Sequence, residues 1–349
     1  MRIRTLVPAL ACLAAAPLAN AADEMSVKFD GFVDTYYSFY STDSDTPDTY
    51  DSGTGFFYSA KLGVAAAISA KVSAQVDLVA DGSDGGVIAK QAYGVWKIND
   101  DVSLKTGKFI GDIGWVAAYA PGLFRVNAGP IVDLYSTDSV GADVIFKTGA
   151  ITASLTVANG LFDTNETNNS GQTGQGNEKY GYLADVTYDL GEGKGNVNVE
   201  LGYDTSVRGS GGDQLHLAAN TTLTPSEALT IGAEVIMQAV SKPDNSTAED
   251  IGKFGFLAMA NYKLGSALPV PASVTGMLQS VAVDNVDGVK DDTESTTELA
   301  VALLTNPAGT DKLGLNVELY YAMNSVESAG SPAVDSSEVG GAVELLYVF

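Results

Sequence analysis

The stretch Glu338–Phe349, EVGGAVELLYVF, decides how the rest of the chain is read. Side chains of an extended strand alternate between its two faces. Val339, Val343, Leu345, Tyr347 and Phe349 therefore share one side, and Gly340, Ala342, Glu344, Leu346 and Val348 share the other. The stretch ends on an aromatic residue with no polar tail to solvate it. As the last strand of a water-soluble sheet it would be an open apolar edge, a template for aggregation. Closed against a partner strand, with its apolar side toward lipid, it is stable. That combination predicts an all-β fold, a transmembrane antiparallel up-and-down β-barrel of the bacterial outer membrane.

The same alternation runs back through the chain. Val27–Tyr40 sets Val27, Phe29, Val33, Tyr37 and Phe39 against Lys28, Asp30, Asp34 and Ser38, with Phe32, Tyr36 and Tyr40 breaking the polar side. Phe56–Ile68 and Lys71–Ala80 follow, joined by a tight link near Ser69. Further strands are expected at Val87–Ile98, Val102–Phe109, Ser139–Lys147, Ile151–Asn159, Lys179–Leu190 and Asn196–Val207. The remainder are Asp213–Leu223, Leu229–Ala239, Ile251–Leu264, Ser273–Val283, Thr296–Thr305 and Leu313–Asn324, ending with the stretch quoted first. Val87–Ile98 and Ser273–Val283 read equally well in either phase. The total is sixteen, with 14 or 18 left open because strands could be miscounted in pairs.

The connections test that count. Links from even to odd strands are short and rich in Gly, Pro, Asn or Asp, such as Asn99-Asp100-Asp101 and Thr148-Gly149-Ala150. Links from odd to even strands are longer and polar, among them Ser41–Gly55, Gly160–Glu178, Asp284–Ser295 and Ser325–Ser337. Short turns on one side and long loops on the other place both termini in the periplasm. A soluble β-sandwich or β-helix would need neither that alternation nor a signal sequence.

A secretory signal is expected at residues 1–21, leaving one barrel domain, residues 22–349. Arg2 and Arg4 precede an apolar run, and Ala19-Asn20-Ala21 is a small-x-small cleavage site. The single cysteine, Cys12, lies inside it, so the mature chain has no thiol or disulfide chemistry. A lipoprotein reading of Ala9–Cys12 would leave too short an apolar run. No later stretch reaches the roughly 18 apolar residues of a membrane helix. Asp and Glu number 43 against 19 Lys and Arg, a net charge of −24, which leaves no basic surface for nucleic acid. A mean hydropathy of +0.09 alongside that charge fits acidic and apolar residues interleaved finely.

One connection stands apart. Ile110–Asp138 is the longest of the odd-to-even links and carries Trp115, Val116, Tyr119, Leu123, Phe124 and Val126. Hanging in water it would expose a large apolar patch. Folded into the barrel as the third extracellular loop, it would constrict an aqueous channel too wide for wall side chains to fill. A loop lying across the mouth is the plainer alternative.

The alternation also assigns the lumen wall. Asp30, Asp34, Asp77, Asp143, Asp185, Glu200, Asp204, Glu234, Glu298, Glu318 and Glu344 are expected inward, against Lys61, Lys105, Lys147 and Lys253. Lys108, Asp112, Arg125 and Asp133 lie in or beside the long loop, and Lys108 and Arg125 are expected to oppose acids across the constriction. The acid surplus predicts weak cation selectivity.

GFVDTYYSFY (Gly31–Tyr40), AYGVW (Ala92–Trp96), LKTGKF…GW (Leu104–Trp115) and VANGLFD (Val157–Asp163) together resemble the OmpL-like β-barrel porins of Gram-negative bacteria. The resemblance spans most of the mature chain and implies an outer-membrane diffusion channel without catalytic residues or cofactors. The very acidic loops of this chain depart from the family pattern.

Other sites carry less. His216, the single histidine, lies on an inward face without a Ser or acid partner identifiable from spacing, so a hydrolase reading has little support. Asn285, Asp287, Gly288 and Glu294 match part of a calcium loop, but Val283 stands where the first ligand belongs. Tyr37, Phe39, Tyr180, Tyr188, Tyr203, Tyr262, Tyr321, Tyr347 and Phe349 near strand ends read as interfacial girdles. The expected partners are the lipid bilayer, lipopolysaccharide, small hydrophilic solutes and ions, the assembly machinery that reads terminal aromatic strands, and further copies in a homotrimer. The alternative function is a structural or adhesin-type barrel displaying acidic loops.

Overall fold

A computed structural model of the chain describes residues 25–44, 51–81, 86–111, 114–136, 138–162, 180–205, 212–242, 247–328 and 330–349. The expected signal, residues 1–21, lies outside them. The strands are β1 (Ser26–Ser44), β2 (Asp51–Ala67), β3 (Val72–Asp81), β4 (Val87–Lys97), β5 (Val102–Ile110) and β6 (Asp138–Thr148). Next come β7 (Ile151–Ala158), β8 (Gly181–Asp189), β9 (Gly195–Asp204), β10 (Gln214–Ser226) and β11 (Leu229–Val240). The last are β12 (Ile251–Lys263), β13 (Ala272–Asp284), β14 (Thr293–Thr305), β15 (Leu313–Glu327) and β16 (Val334–Val348).

Each strand pairs with its sequence neighbours, and β16 returns to β1, so the sheet closes into one antiparallel barrel. At the seam Thr35 faces Leu345 and Tyr36 faces Glu344. Gly31 and Phe349 exchange two backbone hydrogen bonds, each 3.0 Å. Closure removes the open edge that the final stretch would otherwise present.

Polarity is inside out. On β9, Leu201 is 52% exposed while its neighbour Glu200 is 1% exposed. On β15, Leu319 is 59% exposed and Glu318 is fully buried. Apolar side chains thus form an outer belt while the carboxylates point into the barrel, the arrangement a lipid phase stabilises.

Both strands of uncertain phase have a physical explanation. Between β3 and β4 the register passes from Asp77↔Gln91 to Leu78↔Ala89, leaving Lys90 as an extra residue. One inserted residue reverses the alternation, so no single phase fits the whole strand. On β13 the inward side holds Thr275, Met277 and Gln279, all buried, so an apolar side chain sits where a lumen wall would be polar. The long loop covers that position.

Several connections are shorter than the sequence suggests. Ladder pairing continues to Thr42↔Asp51 between β1 and β2, inside the segment expected as the loop Ser41–Gly55. Thr293–Ser295, Ser325–Glu327 and Val334–Ser337 are likewise strand. The apolar alternation stops where the outer belt stops, whereas backbone hydrogen bonds continue between polar residues.

Candidate functional site

The connection from β5 to β6 is strung across the barrel interior. Trp115 donates from its indole to Thr222 Oγ1 on β10 at 2.7 Å and from its backbone N–H to Glu234 Oε1 on β11 at 2.9 Å. Four residues later, Tyr119 donates its hydroxyl to Asp77 Oδ2 on β3 at 3.1 Å, and its ring lies 6.0 Å from Phe32 on β1. A 3-10 turn at Ala120–Gly122, with Pro121 fixing its backbone, redirects the chain toward β14 and β15. A second 3-10 turn, Pro130–Leu134, packs Ile131 and Leu134 onto Ala218, Ile236, Leu257, Met259 and Met277.

The wall is cut to receive this loop. A Cβ at Gly232 would lie 2.2 Å from the Trp115 ring, and one at Gly255 would lie 2.6 Å from Leu134. Each of these wall glycines leaves the space that a loop side chain fills. The Trp115 ring also stacks on Phe124 at 5.5 Å. Gln279 Oε1 accepts from Ile131 N–H at 3.1 Å while its amide donates to the Ala128 carbonyl at 2.9 Å. Gln238 donates to the Leu134 carbonyl at 2.6 Å.

Glu318 is the strongest anchor. Its carboxylate accepts from Arg125 Nε (3.0 Å) and Nη2 (2.7 Å), Val126 N–H (2.7 Å), Asn127 N–H (3.2 Å) and Asn127 Nδ2 (2.9 Å). Arg125 also pairs with Glu298. Burial works against the Arg125 charge, but hydrogen bonds and attraction from Glu318 and Glu298 outweigh it and raise its pKa. Burial, then the Glu234 charge and hydrogen bond, raise the Tyr135 hydroxyl. Burial and the Asp77 charge do the same at Tyr119. Asp133 is also raised by burial, with Lys253 partly opposing the shift.

Lys61 lies between Asp30 (3.1 Å) and Asp77 (3.3 Å), with its ammonium 4.8 Å from the centre of the Tyr119 ring. Lys105 pairs with Asp143 at 3.2 Å and covers the Phe109 ring. Asp34 and Glu344 are buried on the two seam strands, and Asn316 donates to Glu344 at 2.5 Å. Glu200 accepts from Asn220 at 3.1 Å. Lys147 is exposed near the end of β6.

Lys108 departs from expectation. It lies out of phase with Lys105, and its ammonium meets Asp138 Oδ2 at 2.5 Å, on the adjoining strand rather than across the lumen. Lys90, the bulged residue, meets the other oxygen of Asp138 at 3.1 Å. Sequence spacing gave no sign of this cluster beyond the broken phase of β4. Asp112 lies outside the described residues, as does the side chain of Asp287 from the calcium-like segment. His216 is fully buried, 3.1 Å from Gln238 and 3.8 Å from Glu200.

Beneath the loop a cavity of about 780 Å³ opens between Ala120, Pro121, Leu123 and Arg125 and the wall residues Asn316 and Glu344. Loop and wall together leave space on one side of the strap and none where Ile131 and Leu134 pack.

A closed sixteen-stranded antiparallel barrel with a long loop packed on its inner wall has the porin fold. The outer membrane channel DcaP of Acinetobacter baumannii is similar, with a TM-score of 0.65, 13% identity and coverage of 95% of this chain and 99% of that one. The anion-selective porin from Comamonas acidovorans gives a TM-score of 0.66 at 16% identity, over 93% of this chain and all of the other. Pseudomonas putida OprB gives 0.58 at 13% identity, over 92% and 94%. No protein-family model matches the chain, and no characterised protein matches it by sequence.

Proposed function

We propose that the protein is an outer-membrane porin, a water-filled channel through which small hydrophilic solutes and ions diffuse passively. The observation that carries this reading is the loop between β5 and β6, pinned from Trp115 to Tyr135 on inward residues of a barrel too wide to be filled by its own wall. The loop narrows the lumen, and Arg125, Asp133, Lys61 and Asp77 stand where it meets the wall. Two of the solved structures of similar fold are described as an outer membrane channel and as an anion-selective porin, which supports the same class.

The finer parts of the reading follow from the sequence. Residues 1–21 direct export, both termini face the periplasm, and the acidic loops meet lipopolysaccharide outside. The aromatic end of β16 is the signal for assembly machinery, and three copies form the working unit. Kinship with the OmpL-like porins belongs to the same proposal. Weak cation selectivity rests on inward acids exceeding inward bases, since Lys61, Lys105 and Arg125 are each matched by acids. The Comamonas neighbour is described as anion-selective, so fold does not decide the sign.

Swelling of proteoliposomes tests the reading. Vesicles carrying the protein should swell in small sugars and progressively less in larger ones. Vesicles that stay impermeable to the smallest sugar would sink it. A salt-gradient zero-current potential tests selectivity separately, and a clear anion preference would overturn that part alone.

A further inference from the structure

Beyond the β5–β6 loop, a second segment turns into the barrel where β7 ends. We infer that Gly160–Phe162 forms a second narrowing element, coupled to the first through Tyr135; the inference rests on the channel reading above. Four independent features of the wall receive it. Asp204 Oδ2, at the end of β9, accepts the backbone N–H groups of Leu161 (2.8 Å) and Phe162 (3.0 Å). Ser139 Oγ on β6 donates to the Gly160 carbonyl at 2.8 Å. A Cβ at Gly181 would lie 2.6 Å from Leu161, and one at Gly202 would lie 3.3 Å from the Phe162 ring. The Phe162 ring covers the His216 imidazole, with centroids 5.1 Å apart.

A loose surface loop would not bury its side chains this way. Leu161 is 1% exposed and Phe162 9%, and they form an apolar cluster with Ala158 and Leu183 against which Tyr135 packs. Tyr135 belongs to the first loop and is itself hydrogen-bonded to Glu234. The two in-turned segments therefore meet, and together they cover the wall from β8 to β13. Phe162 stands over the inward residues of β9 and β10, so its bulk excludes water and solute there. It also excludes them from His216.

The experiment combines conductance with chemical access. In planar bilayers Phe162→Ala should raise single-channel conductance, Phe162→Trp should lower it, and Phe162→Leu should stay near the unaltered protein. A thiol introduced by His216→Cys should react slowly with a small charged thiosulfonate and several-fold faster when combined with Phe162→Ala. Cys12 lies within the expected signal, so the introduced thiol is alone in the mature chain. If the unaltered protein conducts but Ala and Trp at position 162 leave conductance unchanged, the second narrowing element is wrong while the porin reading stands. Equal labelling rates with and without Phe162 would also overturn it. If the unaltered protein forms no channels, both fail.

Discussion

Glu318→Ala is the substitution whose consequence follows most closely from the contacts. The carboxylate accepts five hydrogen bonds from three consecutive loop residues, two of them from Arg125, and is fully buried. Removing one partner of a buried ion pair costs about 3–5 kcal/mol, because the other charge stays behind uncompensated. Here Glu298 still faces Arg125, and water entering the lumen would rehydrate the released backbone, so the lower end applies. A loss of ~3 kcal/mol changes the ratio of docked to released loop by about a hundredfold. The barrel itself should survive, since the strand ladder around Glu318 is untouched. Single-channel recording is the assay: the variant should show excursions to a wider conducting level and a noisier open state. Glu298→Ala should do the same more weakly, because it leaves the Glu318 contacts in place. A folded Glu318→Ala barrel with a trace as quiet and as narrow as the unaltered protein would refute the anchoring role.

Three further outcomes are expected. Gly232→Val, in a Trp96→Phe background, should push the Trp115 indole off the wall and shift its fluorescence to longer wavelength; an unchanged spectrum would mean the indole is seated elsewhere. Lys61→Met removes the counter-charge of Asp30 and Asp77, so the zero-current potential should move toward cation preference, and no movement would show that wall pairs do not act on permeating ions. Deleting Phe349 removes two 3.0 Å seam hydrogen bonds and should reduce the folded, heat-modifiable fraction in detergent gels; an undiminished fraction would contradict the seam's importance.

The barrel was legible because its rule is local. Period-two alternation places every strand within a few residues of its observed position, whereas the long–short alternation of the links is lost toward the end of the barrel, where the β13–β14 and β15–β16 links are no longer than the β12–β13 link. Where the rule broke, the cause was also physical: Lys90 is a bulge, and Met277 is apolar because Ile131 and Leu134 pack in the same cluster. Inward acids such as Asp77, Glu200 and Glu318 followed from phase alone. Their partners did not. Arg125 and Glu318 lie 193 residues apart, and their meeting depends on how the loop turns at Pro121 and Pro130. Lys108 went astray for a related reason, since its acid sits on the adjoining strand at the far end of the same loop. Phe162 was hidden because a short apolar step at the start of a polar connection carries no period. The stretch VANGLFD marked this segment only as a family resemblance, and the wall glycines Gly181 and Gly202 point to its seat only once the register is known.

The protein is proposed to be a water-filled channel narrowed by the β5–β6 loop. Single-channel conductance in planar bilayers tests it most directly, comparing the unaltered protein with one in which residues 116–134 are replaced by a short Gly-Ser bridge. Discrete conducting steps are expected for the unaltered protein and larger steps for the shortened one. A folded barrel that gives no steps, or the same step size with the loop removed, would contradict it.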